Sequence, residues 1–462
     1  MAFPGALNQL PQGTQETFDL IAEFDRCFLT GFANLDTPHQ QTLNSLQQIF
    51  TGTPLQQPLS KTCAAIQSNE FVEQHFTVLA AVRASLQGSL FDILQQQARS
   101  VMGRVDEGDK GDKQEKGDKE NEHLRVWLES IRHWLMEIAL MGFARLEAST
   151  LIPFMSTLEQ IQSEPLLIRQ AALLTGFFNE LMNWVPMTDS STTPVYRWVD
   201  LWTQAMVGAL RPPVTHEPKL VSGKLELLGL DLRHHANLVS FTAYGLLTVD
   251  AQVQLVRTTL SAYKVDVISK DQIWLLFPKA SVLLNAFTEN RALHLKDVPL
   301  LPTGDLLWQG EAQLGDYYNL MKKASEFFAV NATNSTTPPL IPPVDRHPVQ
   351  LAEPVFLNNY AIAQTNNILN LSWKDAGLLP IATERISPLS ELNLEAICKS
   401  NEIFGLLRFD GGRWAVQPLA ATVQGKTMFT GQSAAKIFKT PPKTNTVATL
   451  QERASRLLRK KS

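Results

Sequence analysis

The stretch Glu402-Ile-Phe-Gly-Leu-Leu-Arg-Phe-Asp-Gly-Gly-Arg-Trp-Ala-Val-Gln-Pro-Leu419 contains the clearest local fold signal of the chain. Two runs rich in apolar and aromatic residues flank Asp410-Gly411-Gly412. These three residues tolerate a positive φ angle, which a tight turn between antiparallel strands requires. The stretch therefore predicts a β-hairpin and places strands in the C-terminal part of the chain. The stretch gives information about the fold; it contains no pattern of reactive side chains that would indicate a function.

The sequence between Pro218 and this hairpin also has the two-residue periodicity of strands. That periodicity predicts strands at Lys224–Leu230, Leu238–Thr248, Gln252–Thr258, Gln272–Phe277 and Asp305–Leu314. One helix is predicted at Asp316–Val330, and a Thr-, Asn-, Ser- and Pro-rich segment follows it up to Pro348. Residues 353–431 are expected to combine short helices with strands.

The N-terminal half has helical periodicity instead. The first apolar residues that recur at three- and four-residue steps are Phe18, Ile21, Phe24, Phe28 and Phe32. A second block, from Glu122 to Leu210, repeats the pattern and holds most of the tryptophans. We expect these tryptophans in the core, with a partner-binding groove as the alternative. The predicted fold class is α+β, with an all-helical N-terminal half followed by a strand-rich mixed C-terminal half.

Composition and periodicity divide the chain into segments. The predicted order is a helical domain (1–105), a charged flexible linker (106–122), a second helical block (123–213), a strand-rich domain (214–330), a Pro/Thr-rich linker (331–350), a small α+β region (351–431) and a basic tail with a short helix (432–462).

Length and composition restrict the class of protein. At 462 residues the chain is long enough for two or three domains, and 44% apolar with 19% charged residues is a globular composition. A formal net charge of −4 predicts weak or absent nucleic-acid binding. The widely spaced Cys27, Cys63 and Cys398 suit a reducing compartment. With no basic leader and no apolar run of membrane-spanning length, the expected location is the cytoplasm.

The segment from Lys436 onward carries many more basic than acidic residues. Thr449 and Glu452 have the spacing of a capping box, so Leu450–Lys461 is predicted to be a short helix. The candidate partner-binding residues of this tail are Leu450, Arg453, Arg456, Leu457, Leu458, Arg459, Lys460 and Lys461. A protein partner is favoured by the apolar face; nucleic acid or lipid is the alternative favoured by the basic face.

Residues that could bind a metal ion or perform catalysis form no recognisable local motif. Zinc needs several Cys, His or carboxylate ligands at short spacing. His234 and His235 are adjacent but have no cysteine nearby, and His123 and His133 are too far apart on one predicted helix to share an ion. No nucleophile elbow, Walker loop or dinucleotide fingerprint occurs. We therefore expect no catalysis, no metal and no cofactor; a site assembled from distant residues is the alternative.

Three segments carry a family resemblance. They are His123-Leu-Arg-Val-Trp-Leu-Glu-Ser-Ile-Arg132 with the helices after it, Leu301-Pro-Thr-Gly-Asp-Leu-Leu-Trp-Gln-Gly-Glu311 followed by Tyr317-Tyr-Asn-Leu-Met-Lys-Lys-Ala324, and Phe404–Leu419. Together they resemble the region downstream of the zinc finger in bacterial SWIM zinc-finger proteins, which are typically encoded beside MoxR-type AAA+ ATPases and von Willebrand-type domain proteins. The finger itself is absent, so the zinc and nucleic-acid roles proposed for that family do not transfer.

The resemblance implies a non-enzymatic component of a bacterial ATPase-linked assembly. We therefore expect an interaction or scaffold protein, an adaptor whose partner is a protein and, by the resemblance, an AAA+ ATPase. One alternative is a nucleic-acid-binding protein acting through the basic tail, which salt-dependent retention on DNA or RNA would support. The other is an enzyme with a dispersed site, which a deep polar pocket with perturbed carboxylates would support.

The charged run 106–122 contains no apolar side chain that could anchor it. Deleting it should leave the melting temperature nearly unchanged, because a loop of this length adds little closure entropy. Limited proteolysis should also cut the full chain first within this run. Differential scanning calorimetry of the deletion variant checks the expectation, and a loss of several degrees would show that the run is packed against the fold.

Overall fold

The computed structural model describes residues 5–104, 122–187, 194–210, 217–235, 238–264, 268, 270–330, 341–366, 368–374 and 377–439. The helices of the N-terminal half are α1 (Thr14–Thr30), α2 (Thr37–Ile49), α3 (Gln56–Gln67), α4 (Glu73–Val101), α5 (Glu122–Met141), α6 (Ala148–Leu151), α7 (Met155–Ile161), α8 (Ile168–Trp184) and α9 (Val195–Gly208). Short 3₁₀ turns at Phe32–Asn34 and Phe143–Arg145 follow α1 and α5.

The strands are β1 (Lys219–His235), β2 (Leu238–Val249), β3 (Gln252–Tyr263), β4 (Arg291–Leu300), β5 (Gln313–Tyr317), β6 (Ala352–Asn358), β7 (Ala361–Thr365), β8 (Ile368–Trp373), β9 (Gly377–Pro380), β10 (Ser400–Asp410), β11 (Arg413–Val423) and β12 (Lys426–Phe429). They form antiparallel sheets in the orders β3-β2-β1-β4-β5, β12-β11-β10-β6 and β7-β8-β9, which we name sheets A, B and C. Helices α10 (Ser281–Thr288), α11 (Leu320–Val330), α12 (Leu394–Cys398) and α13 (Ala434–Lys439) accompany them. The predicted α+β class is confirmed.

The helical half is built from two similar units, which the sequence reasoning missed. Gly31-Phe-Ala-Asn-Leu-Asp after α1 corresponds to Gly142-Phe-Ala-Arg-Leu-Glu after α5. The two glycines have nearly the same backbone angles, φ 86° and ψ 146° against φ 84° and ψ 147°. Each donates its N–H to the carbonyl oxygen four residues earlier at 2.9 Å. The first unit is α1–α4 and the second is α5–α9, with α6 and α7 in the place of α2.

The two units pack reciprocally. Helix α1 contacts α9 while α5 contacts α4, and the 3₁₀ turn of each unit contacts the first helix of the other. Such an exchange of equivalent contacts is the mark of a twofold, isologous interface. The ring pairs Phe32–Phe76 and Phe143–Trp198 repeat the same edge-to-face geometry, at 5.6 Å and 5.2 Å. The helical half is therefore an internal pseudo-dimer.

Most tryptophans of the second unit lie in its core, as predicted. Trp198 and Trp202 are buried, and the indole of Trp202 donates to the carbonyl of Leu135 in α5 at 2.8 Å. Trp134 is also buried and stacks on Phe154. The large apolar faces of this block are thus used in packing the second unit.

Sheets A and B share one apolar core. Side chains of the β10–β11 hairpin, including Phe404 and Leu419, lie in the same cluster as those of β1. Gly229 of β1 lies so close to the hairpin that a Cβ atom there would be 2.7 Å from Leu419 Cβ. Asp231 of β1 is buried and accepts hydrogen bonds from Arg408 at 3.0 Å and Gln417 at 2.7 Å. The contact between the sheets is therefore both apolar and charge-paired.

Helix α4 joins the helical half to sheet B. Its first part lies in the helical core, and Phe91, Leu94 and Ala98 lie in a core shared with sheet B. Glu353 of β6 accepts hydrogen bonds from donors at the end of α4, namely Gln95 Nε2 at 2.6 Å, Arg99 Nε at 3.2 Å and Arg104 Nη1 at 3.3 Å. In the described ranges α4 is the helix with the length and hydropathy of a membrane span, but half of its most apolar window is buried inside the protein.

The predicted hairpin is confirmed. Gly411 and Gly412 have φ angles of 57° and 76°, and Asp410 pairs with Arg413 across the two-residue turn. Positive φ at both central residues matches the right-handed twist of the flanking strands.

Two strand predictions in the C-terminal half were wrong, and one predicted helix begins later than predicted. The strand predicted at Gln272–Phe277 is instead the 3₁₀ helix Lys270–Leu276 followed by Phe277; a short buried apolar run cannot be assigned by periodicity alone. The strand predicted at Asp305–Leu314 begins only at β5, since Gly310 with φ 97° interrupts it. Helix α11 begins at Leu320 and not at Asp316, because β5 extends to Tyr317.

The glycine contact between the two units gives a stability prediction. A Cβ on Gly31 would lie 2.5 Å from Leu140 O, so Gly31→Ala should lower the free energy of unfolding by roughly 3 kcal/mol or more. Gly13→Ala is the control: Gly13 also has a positive φ, 82°, but a Cβ there meets nothing within 4 Å, so we expect about 1 kcal/mol. Urea unfolding followed by circular dichroism measures both variants, and equal losses would contradict the steric argument.

Candidate functional site

The tail predicted to bind a partner, Leu450–Lys461, lies outside the described residues, which end at Lys439. The charged run 106–122 lies almost wholly outside them too, as do residues 331–340 of the second predicted linker. Cys27 and Cys63 are buried free thiols and Cys398 is exposed. In the described part of the chain, His, Cys, Asp and Glu form no group of three that could hold a metal ion.

A candidate interaction surface lies at the edge of sheet A. Strand β3 pairs with β2 on one side, without any shift of register. On the other side Arg257 N donates to Gly304 O at 3.0 Å, and Arg257 O accepts from Leu306 N at 2.7 Å. Arg257 therefore directs its backbone groups outward.

The direction of Arg257 fixes the direction of its neighbours. Backbone groups of successive residues in a strand point to alternate sides. Thr259, Ser261 and Tyr263 therefore also direct their N–H and C=O groups outward. Between residues 5 and 439, as far as the structure describes them, no backbone hydrogen bond reaches these groups. The end of β3 is thus an open edge, and we refer to residues 258–263 by that name.

Residues 258–263 of the open edge include no lysine and no proline, although Lys264 follows them directly. Lysine, proline and inward-pointing charge normally block such an edge. Strand β3 has one charged residue, Arg257, and its guanidinium is held by Asp305 at 2.7 and 3.0 Å. The ring of Tyr263 at the end of the strand is 81% exposed. An extended segment of another chain can add here as a sixth strand of sheet A through main-chain hydrogen bonds.

A second constellation, a buried charge cluster, lies between the two helical units. Arg83 of α4 is 2% exposed and donates to both carboxylate oxygens of Asp25 in α1, at 2.7 and 2.8 Å. Its other nitrogen lies 2.5 Å from Asp200 of α9. Asp200 also contacts Nε2 of His347 at 3.1 Å. His347 belongs to Ile341–Gln350, which we call the strap because it crosses α4, α8 and α9 on its way to β6.

The electrostatics of the cluster differ between its two carboxylates. Burial raises the pKa of Asp25 to about 6 in spite of the guanidinium of Arg83. Burial also acts to raise the pKa of Asp200, but Arg83 and His347 outweigh it and hold that pKa below its usual range. Two carboxylates therefore share one arginine, and the cluster is short of positive charge.

A small cavity lies beside the cluster, under the strap. It is lined by Arg83, Ala84, Gln87, Asp200, Thr203, Gln204, Val207, Val344, Arg346 and His347. Its enclosed part holds about one water molecule. Asp25, whose pKa is raised, does not line it. Asp200, the carboxyl that does line it, is paired with Arg83 and His347 and has a lowered pKa, so the described lining offers no carboxyl with the raised pKa of a general acid.

The second helical unit has apolar residues at the positions that Asp25 and Arg83 occupy in the first unit. Aligning Gly31 with Gly142 and Phe76 with Trp198 places Met136 opposite Asp25 and Ala205 opposite Arg83. Apolar residues therefore suffice for packing at the equivalent position. A buried ion pair is no better than apolar packing for stability alone, so stability alone does not account for the charge in the first unit.

Sequence reasoning could have found only part of these sites. The repeated Gly-Phe-Ala-x-Leu motif was readable, and so was the low charge of Gln252–Tyr263. The partners Arg83, Asp25, Asp200 and His347 are widely separated along the chain and lack a common motif.

Comparison of the chain with protein-family models, with curated proteins and with solved structures gives no match.

The buried cluster gives a second stability prediction. Arg83→Met leaves two carboxylates without their cation and should cost about 3–5 kcal/mol of unfolding free energy. The double variant D25M/R83A, which copies the second unit, should recover most of this loss. Arg197→Met is the control, because Arg197 forms an exposed pair with Glu180 and its loss should cost under about 1 kcal/mol. Chemical unfolding at pH 7 compares the variants; a loss no larger in R83M than in R197M would contradict the prediction.

Proposed function

We propose that this chain is a non-catalytic interaction protein, a scaffold or adaptor of a bacterial cytoplasmic assembly. The observation that supports the proposal is the open edge of β3, whose outward backbone groups at Thr259, Ser261 and Tyr263 have no partner in the described part of the chain. A stable sheet edge of this length without charge or proline is a site for another strand.

The partner segment that suits the edge is extended and alternates in polarity. Its residues on one face would continue the core layer of Val256, Thr258 and Leu260, so they should be apolar. Its residues on the other face would lie beside Thr259 and Ser261, which are exposed, so they should be polar. Main-chain hydrogen bonds would supply affinity, and the alternation would supply selectivity.

The resemblance to SWIM-associated proteins makes an AAA+ ATPase of the MoxR type the partner we favour. The tail Leu450–Lys461 is a second candidate contact, and the two elements can act together through one linked partner. The alternative of nucleic-acid binding through the tail predicts a different ligand and a steep salt dependence.

The proposal predicts that proline at Ser261 abolishes partner binding and spares the fold. The N–H of Ser261 points away from β2, so Ser261→Pro removes an outward donor without breaking a hydrogen bond of sheet A. In tagged pull-downs from the native host, the partner recovered with the wild type should fall at least tenfold with S261P. Ser261→Ala is the matched control and should retain it, and all three chains should melt within a few degrees of one another.

A truncation after Thr440 separates the two candidate contacts. Loss of the partner with S261P but not with the truncation assigns recruitment to the edge. Loss with the truncation alone would assign it to the tail and overturn the role of the edge. If the full chain is retained on DNA at physiological salt and the truncated chain is not, the nucleic-acid alternative is favoured.

A further inference from the structure

Two ion pairs cross from one helical unit to the other. Arg83 of the first unit has its Nη1 atom 2.5 Å from Oδ1 of Asp200 in the second unit. Glu73 of the first unit pairs with Arg132 of the second, and their side chains are 32% and 15% exposed. Each unit therefore presents one cation and one anion to its neighbour.

The pseudo-twofold relation between the units places apolar residues at the position equivalent to the first ion pair. In the alignment of α4 with α9, Ala205 corresponds to Arg83. The same alignment places Val78 opposite Asp200. Ala205 is fully buried, and Val78 packs against the helical core. The crossing of α4 and α9 thus holds an ion pair on one side of the axis and apolar residues on the other.

The second ion pair has the same asymmetry. Ile21 corresponds to Arg132 in the alignment of α1 with α5. Val195 corresponds to Glu73 in the alignment of α4 with α9. Ile21 belongs to the helical core and Val195 packs against it. Two independent ion pairs therefore distinguish the observed interface from one between like units, by which we mean two first units or two second units from different copies of the chain.

An interface between like units would deprive these charges of their partners across it. Between two first units, Arg83 and Glu73 would each face the apolar residue that corresponds to its present partner, although Arg83 would keep Asp25. Between two second units, the same would hold for Asp200 and Arg132. A buried charge that faces an apolar residue is costly, so the charges oppose pairing of like units.

Side-chain size distinguishes the two kinds of interface less than charge does. Phe28 contacts Trp202 across the observed interface, with 4.5 Å between ring centroids. The corresponding residues, Ala139 and Ala80, are fully buried. Pairing of like units would place each large ring against an alanine, which leaves the summed side-chain volume unchanged. Cores tolerate apolar exchange when total volume is kept.

We propose that the ion pairs Arg83–Asp200 and Glu73–Arg132 select the pairing of unlike helical units, and so keep the helical half from joining a second copy of the chain through like units. A buried ion pair adds little stability over apolar packing, but it can specify a partner, because the wrong partner leaves charges unpaired. An internal pseudo-dimer needs such a device, since exchange of equivalent elements between copies is a low-cost route to dimers.

The test gives each charged position the residue that the other unit has at the corresponding place, in the full chain. The fivefold variant is D25M/E73V/R83A/R132I/D200V. It should fold, because the same apolar residues already pack at the equivalent positions. After refolding from urea at about 0.1 mM, where pairing within and between chains can compete, its dimer fraction should exceed that of the wild type about tenfold. Size-exclusion chromatography with light scattering measures the fraction.

Two further variants make the comparison specific. E180A/R197A is the matched control: it removes an ion pair that lies within the second unit, so its dimer fraction should equal that of the wild type. Asp200→Val alone leaves Arg83 paired with Asp25 and is the milder test variant. It should fold even if the fivefold variant does not, and its dimer fraction should rise about threefold.

A cysteine pair reports which units meet. Asp25, one turn after Ile21, pairs with Arg83, and Arg83 lies about 15 Å along α4 from Glu73. Ile21 and Glu73 are therefore too far apart within one unit to be bridged, but they would face each other between two first units. In chains that carry I21C/E73C, with the exposed Cys398 changed to Ser, interchain disulfides should increase about tenfold when D25M/R83A/D200V is added.

Three results would overturn the proposal. Equal dimer fractions for the wild type and the folded variants would show that the charges select nothing. Dimers that form without the I21C–E73C disulfide would show that the copies join elsewhere, with the open edge the first candidate. Failure of D200V to fold would show that the pair is required for stability and not for the choice of partner.

Discussion

The close contact of Gly31 with Gly142 is the constraint on which the helical half depends. Each glycine has a positive φ angle, which favours glycine over other residues. Each also donates its N–H to the carbonyl oxygen four residues earlier, in the last turn of the preceding helix. Each is also so near the other unit's backbone that a side chain would clash. The approach of the two backbones brings Phe32 and Phe143 into the core, and these rings then fix the positions of α4 and α9 through Phe76 and Trp198.

The placement of α4 has consequences beyond the helical half. Because α4 is longer than its counterpart α9, its second part extends out of the pseudo-dimer and packs on sheet B. Glu353 then meets Arg99 and Arg104, and the strap is drawn across the start of the interface. Buried ion pairs therefore lie both inside the first helical unit, at Arg83 and Asp25, and where the end of α4 meets sheet B.

How much of this was predictable from the sequence depends on the range of the interactions. The hairpin at Gly411–Gly412 and the helix of Ile21, Phe24 and Phe28 follow from neighbours within a few residues, so the local pattern was sufficient. Gln272–Phe277 was misassigned because burial on all sides erases periodicity. The partnership of Arg83 with Asp25 depends on the docking of two helices, which no local pattern encodes. The tail residues remain predictions, since they lie beyond Lys439.

The low fraction of charged residues in the chain is relevant both to the open edge and to the buried ion pairs. Only 19% of the residues are charged, and several described arginines pair with acids at contacts between parts of the fold, as Arg99 does with Glu353 and Arg408 with Asp231. Arg257 is the one charge in β3; it pairs with Asp305, and its backbone groups are hydrogen-bonded to Gly304 and Leu306. The later outward-facing residues of β3 are Thr259, Ser261 and Tyr263. Their side chains are uncharged and of types that are compatible with pairing to another strand. Soluble proteins rarely keep such an edge uncovered, because it invites pairing with any extended chain. We therefore propose that another strand occupies this edge when the protein functions.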